Sequence, residues 1–186
     1  MADQQYSEVL NEQGHKTGQV MERQMVHAQQ LWHEIVNVWI MNNQGQVLLQ
    51  LRSPKVELNP GVWDVAVGTH VKPSEDPFTA AIRCVADELG IAIERDELRH
   101  LFNIQTANPL PNDEFHKVLG HVFLLKRDIN LDDIAFNPDK VTELVWESLL
   151  DVINDIGSET PAKKYYPRQG NYYPQLFDAL QAQTSM

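Results

Sequence analysis

The residues best suited to chemistry crowd into one stretch, Glu75 to Glu88. Asp76 is a good helix N-cap and Pro77 suits the first helical position. Phe78, Ala81, Ile82, Val85 and Leu89 then recur at helical spacing, and Gly90 is a natural stop. On that helix Cys84, Asp87 and Glu88 are related by i, i+3 and i+4, so they form a second stripe. Two adjacent acids in a last turn add negative charge where the helix dipole is already negative. A divalent cation would compensate them. Carboxylate oxygens suit Mg²⁺, which also bridges phosphates; a solvated acidic helix end is the plainer alternative.

The elements that must position this helix are mostly strands. Glu34–Met41 is β-branched and apolar, Asn42 to Gly45 is a turn signal, and Gln46–Arg52 is a second strand, together reading as a β-hairpin. Pro54 and Pro60-Gly61 bracket a loop, and Val62–Val71 reads as one strand running into a loop. Leu101–Thr106 and Val118–Lys126 are expected strands around a loop, Ala107–Asp113, with two prolines. Glu143–Glu147 fits a short strand, Ser148–Ile156 a short helix, and Pro174 opens a last helix to about Gln183. The first residues, to about position 30, are polar, with one turn at Asn11 to Gly14. Strands broken by a few helices, without regular βαβ alternation, predict an α+β or mixed α/β sandwich.

The 186 residues suit one domain, 1–186, with ample core. No apolar run approaches the roughly 20 residues of a membrane span, and the N-terminus lacks the apolar stretch of a secretory signal. Cys84 is the sole cysteine, which excludes an intrachain disulfide and points to a reducing, cytoplasmic setting. Fifteen Lys and Arg against 26 Asp and Glu give a net charge of −11. That argues against nucleic acid as a partner, since phosphate neutralisation needs a basic footprint. A small phosphorylated substrate is still served by a bound metal or a few placed cations. Whether the chain pairs as a homodimer is open at this level.

Thr69–Ile91 resembles the Nudix box, G-x5-E-x7-R-E-U-x-E-E-x-G-U, where U is a bulky aliphatic. Glu75 and Arg83 stand eight apart as the pattern asks, and Val85, Glu88, Gly90 and Ile91 match it, with Asp87 a conservative change. Thr69 takes the place of the first Gly, with Gly68 one residue early. Cys84 takes the place of the Glu after Arg, and a thiol is a poor hard-metal ligand. The resemblance implies a Nudix fold, a mixed sheet sandwiched between helices. It implies Mg²⁺ or Mn²⁺ on Glu88 and Asp87, and support from Glu75 through Arg83.

The likeness extends beyond the box, over roughly Leu10 to Asp151, to the isopentenyl-diphosphate isomerase branch. That branch has an extended N-terminus, here about 30 residues. It has a metal site of two N-terminal His, one His after a PGxW strand and two Glu from a later strand. His27, His33 and His70 fall at the matching places, His27 to His33 being one residue shorter than the branch spacing. Three imidazoles with carboxylate help would hold a second metal, Zn²⁺, Mn²⁺ or Fe²⁺. The Glu pair aligns on His116 and Val118; a shift of two recovers Glu114, and His121 is an off-register alternative. Arg52 matches a residue that meets the diphosphate in that branch, and Lys55 is a second candidate. The isomerase acid-base Cys aligns with Gly68, which offers no proton.

The expectation is a metal-dependent hydrolase of a phosphoanhydride, a nucleoside diphosphate linked to another moiety. Glu88 and Asp87 would bind metal and catalyse, and Glu114 stands in for the base that Cys84 replaces. A catalytically weakened diphosphate-binding module is the first alternative, and the isomerase the second.

Overall fold

A computed structural model describes residues 5–110 and 114–184. Nine strands, among the described residues, form one mixed sheet. The antiparallel hairpin β1 (Tyr6–Leu10) and β2 (Lys16–Glu22) comes first, followed by helix α1 (Arg23–Ala28). The central strand β3 (Trp32–Met41) pairs antiparallel with β1 and with β6 (Val67–His70), and parallel with β8 (Phe115–Lys126). β8 also pairs along its whole length with β7 (Leu98–Pro109). The other half is built on β4 (Gln46–Arg52), which pairs with β5 (Trp63–Val65) and β9 (Val141–Ser148).

Strand alternation sends neighbouring residues to opposite faces, and both faces are covered. Val36, Val38, Ile40, Leu48, Phe123 and Leu125 pack under helix α2 (Pro77–Leu89) with its Ala81, Val85 and Leu89. Trp39, Met41, Leu49, Val122 and Leu124 meet Leu149 and Val152 of α3 (Leu149–Ile156) and Tyr172, Leu176 and Leu180 of α4 (Tyr172–Thr184). The expected sandwich of a mixed sheet between helices is therefore present. It accounts for the near-continuous apolar run of β3, whose alternate residues serve two cores.

Several local expectations change. β3 and β4 share only the pairing Met41↔Val47, so the expected hairpin exists at its turn and the strands then part to different partners. Val62–Val71 is two strands, because β5 belongs to β4 while β6 crosses to β3. Ala107 to Pro109, expected in a loop, extend β7 against Lys117, His116 and Phe115; residues 111–113 of that expected loop lie outside the described residues. The last helix starts at Tyr172, with Pro174 inside its first turn.

α2 is as expected. The Asp76 carboxylate accepts from the N–H groups of Phe78 (3.0 Å) and Thr79 (3.4 Å), relieving two donors that the helix cannot pair. Gly90 closes the helix at φ 69°, where a side chain would be strained.

Candidate active site and metal centre

A cavity of about 950 Å³ opens between α2, the ends of β3 and β6, and the segment Arg52 to Leu58. Arg83, Cys84, Asp87 and Glu88 line one side of it, and His27, His70 and His116 another.

The histidines come together through strand register. Ile35 pairs with His70 and His33 pairs with Val118, so β6, β3 and β8 lie side by side. His70 shares a face with Ile35, and therefore with His33. His116, two residues before Val118, shares it too. α1, anchored by fully buried Val26, supplies His27. The Nε2 atoms of His27 and His70 are 3.0 Å apart, those of His33 and His116 are 3.2 Å apart, and one ring nitrogen from each of the four lies within 4.8 Å of the others. The Nδ1–H of His33 donates to the Leu31 carbonyl at 2.9 Å, leaving its Nε2 lone pair facing the cluster.

Burial holds all four rings neutral. It pushes His27 and His33 down to about 4 and His116 to about 2, and takes His70 well below its usual value. A tetrahedral Zn²⁺ with Zn–N bonds of about 2.0–2.1 Å has edges of about 3.3–3.4 Å. The donor set therefore fits a cation in type, protonation and spacing. It holds no carboxylate: His116 stands where the isomerase alignment wanted the first Glu, and Val118 where it wanted the second. Glu114 lies just before β8, its carbonyl accepting from Leu110 N–H, and is not among the cavity-lining residues. His121 points to the opposite face, where its Nε2 meets Glu34 at 2.9 Å.

On α2 the two acids differ. The Glu88 side chain is 11% exposed and lies 3.8 Å from Lys140 Nζ, whereas Asp87 is 64% exposed with a loose contact to Arg83 at 3.9 Å. Burial raises Glu88 to about 7, against the pull of Lys140, Arg52, the Cys84 thiol and the Gly68 N–H. A buried carboxylate so reluctant to ionise is suited to a cation that supplies the missing charge. Cys84, expected on the polar stripe, is 1% exposed and belongs to the core as well as the cavity wall; burial raises its thiol well above the usual range. Arg83 forks onto Glu75 with two 2.8 Å bonds and donates to the His70 carbonyl at 3.2 Å. It thus ties the helix to the strand that carries the histidines.

Arg52 reaches the cavity, its guanidinium donating to the carbonyls of Leu58 (2.8 Å) and Asn59 (3.1 Å) and lying 3.6 Å from Asp64. Lys55 also lines the cavity and pairs with Asp139 at 2.5 Å, both well exposed. Three further residues were not anticipated: Lys140, Asp64 and Arg168. Arg168 follows an irregular stretch with no periodicity, so only the folded chain brings it to the cavity. Gly68 lines the wall bare of any side chain. A Cβ there would stand 3.3 Å from Asn37 Oδ1 and 3.4 Å from the Val36 carbonyl.

The family model of the NUDIX domain matches residues 31–175. Nudix hydrolase 3 of Arabidopsis thaliana is 28% identical over 97% of this chain, which spans only 24% of that protein. An isopentenyl-diphosphate Delta-isomerase of Pectobacterium atrosepticum is 30% identical over 76% of this chain and 75% of its own length. Among solved structures, DR0079 from Deinococcus radiodurans superposes with a TM-score of 0.68 over 96% of this chain and 98% of its own, at 23% identity, and so shares the fold. With 31–175 covering strands β3 to β9, the box helix and most of the cavity wall, the chain belongs to the Nudix family.

Proposed function

We propose that this chain is a metal-dependent pyrophosphohydrolase acting on a phosphoanhydride, with a nucleoside diphosphate derivative as substrate. The observation that carries this reading is Glu88: a nearly buried box carboxylate at a cavity wall, with Lys140 and Arg52 acting on it. Nudix membership and the hydrolase relatives support a hydrolase of acid anhydrides. Glu88, with Asp87 beside it, would hold Mg²⁺ or Mn²⁺, and the four histidines a second cation. Bound there, such ions neutralise phosphate oxygens and lower the pKa of water. Arg52, Lys55 and Lys140 serve the diphosphate charge, while Glu75 fixes Arg83 and hence the helix. The segment before residue 31 acts as an extension of the domain that contributes His27. Cytoplasmic residence accords with a single, buried cysteine; no helix among the described residues is long and apolar enough to cross a membrane.

Cys84 favours a second reading, a module that binds diphosphates with little turnover. The isomerase reading lacks its acid, because position 68 has no side chain. A panel of nucleoside diphosphate derivatives, assayed for phosphate or nucleotide release with each metal, separates the readings. The hydrolase reading expects release that Glu88→Gln abolishes, and no conversion of isopentenyl diphosphate. Tight binding without release across the panel favours the module, and equal release by Glu88→Gln overturns the metal assignment.

A further inference from the structure

Arg168 is buried at the cavity wall, its side chain 5% exposed. Its Nη2 donates to Asp64 Oδ1 at 2.5 Å and to Asn37 Oδ1 at 3.3 Å, and its plane lies against Tyr166 and Tyr172, with ring centroids 4.8 and 4.5 Å away. Its Nε–H is buried with no partner. A guanidinium that served packing alone would have that donor satisfied, since leaving a buried charged donor unpaired is costly.

Charge around it is unbalanced in the same direction. Asp64 is shared between Arg168 and Arg52, and Arg52 also faces the Tyr166 ring at 5.5 Å. Two guanidinium groups meet one carboxylate. The neighbouring histidines contribute no negative charge, and a cation on them would add positive charge. The fields of both arginines reach His116. Glu88, the other buried acid on the cavity, has Lys140 beside it. Beside Gly68 lies Asn37 Oδ1, 3.3 Å from where a Cβ would stand and itself accepting from Arg168 Nη2 at 3.3 Å, with the Val65 side chain at 4.0 Å.

From this we infer that Arg168, which shares Asp64 with the diphosphate-side Arg52, forms a second anion subsite beside the histidine cluster, which takes an oxyanion at the far end of the diphosphate substrate. The substrate is then a diphosphate whose other moiety carries a phosphate or carboxylate, and a hydrocarbon tail is disfavoured. This rests on the diphosphate itself binding at Glu88, as proposed above.

The test uses the full chain with Mg²⁺ and four non-hydrolysable methylene-diphosphonate esters of matched alkyl length, ending in methyl, hydroxyl, carboxylate or phosphate. Calorimetric titration gives each Kd. The wild type should prefer a carboxylate or phosphate end to the methyl end by roughly tenfold or more, the scale of a charge-assisted pair. Arg168→Met should erase that preference while holding the methyl ester within about twofold. Arg168→Lys, which keeps the charge and loses the fork, should retain part of it; this variant also serves if the Met variant fails to fold. Equal affinity for all four esters in the wild type, or undiminished preference in either variant, overturns the subsite and leaves the diphosphate site standing. Failure of every ester to bind overturns the diphosphate site, and the subsite with it. Which anionic end binds tighter identifies the oxyanion.

Discussion

Replacing Glu75 by Gln removes one charge and both ionic bonds of the Arg83 fork while keeping the side chain's shape. Three hydrogen bonds meet on that carboxylate: two from Arg83 at 2.8 Å and one from Lys72 N–H at 2.9 Å. A Gln keeps one acceptor, so about one charge-assisted bond is lost outright and the remainder weakens. Hydrogen bonds to charged groups contribute about 1.5–3 kcal/mol each, and exposed ion pairs less than about 1. With Glu75 at 10% and Arg83 at 23% exposure, an intermediate loss of about 2 kcal/mol is expected. For a chain of this length that is a fall in Tm of roughly 4–8 °C. The pH dependence gives the sign. Arg83 and the Lys72 N–H hold Glu75 below the usual carboxylate range against the opposing effect of burial. Its stabilisation is therefore complete above the unfolded value of about 4.3 and is lost as pH falls through the folded one. The Tm gap between wild type and Glu75→Gln should be constant from pH 7 to about 5 and narrow below about 4.3. A variant as stable as wild type at pH 7, or a gap that persists unchanged at pH 3.5, would refute the reasoning.

Leu176→Ala deletes a fully buried side chain between α4 and the sheet, and should cost about 3–5 kcal/mol in urea unfolding. Cys84→Glu places a second carboxylate in the wall beside Glu88 at a position 1% exposed. It should lower Tm without metal, and Mg²⁺ or Mn²⁺ should restore more of the loss than they add to wild type; a variant indifferent to metal would separate position 84 from the ion site. Purified wild type should carry about one equivalent of Zn²⁺, Mn²⁺ or Fe²⁺ by elemental analysis, and His116→Ala should weaken that binding by at least tenfold. Unchanged binding in His116→Ala would remove it from the ligand set.

How far the sequence reached depended on whether a signal was local. α2 was fully legible, because its cap, its apolar spacing and its terminating glycine all lie within the helix. The parting of β3 from β4 and the break at Ala66 were not, because each is decided by which distant strand offers hydrogen bonds. The polar N-terminal stretch showed only its turn. There Asn11 Oδ1 accepts from the N–H groups of Gln13 and His15, and the turn joins a hairpin added to the edge of the sheet. At the site, His27, His33 and His70 could be named from resemblance, but the choice between Glu114 and His116 needed the register of β8 against β3. Arg168 and Lys140 lie in segments without periodicity, and their place at the cavity is purely tertiary.

Glu88 carries the proposed hydrolysis most directly. Steady-state release of phosphate or nucleotide from the most active diphosphate derivative should be compared in wild type and Glu88→Gln, with Mg²⁺ and with Mn²⁺ and with matched Tm. Metal-dependent turnover that falls by about a hundredfold or more, or roughly 2.7 kcal/mol of transition-state stabilisation, is the predicted result. Turnover within about twofold of wild type, or turnover that persists after chelation, would contradict it.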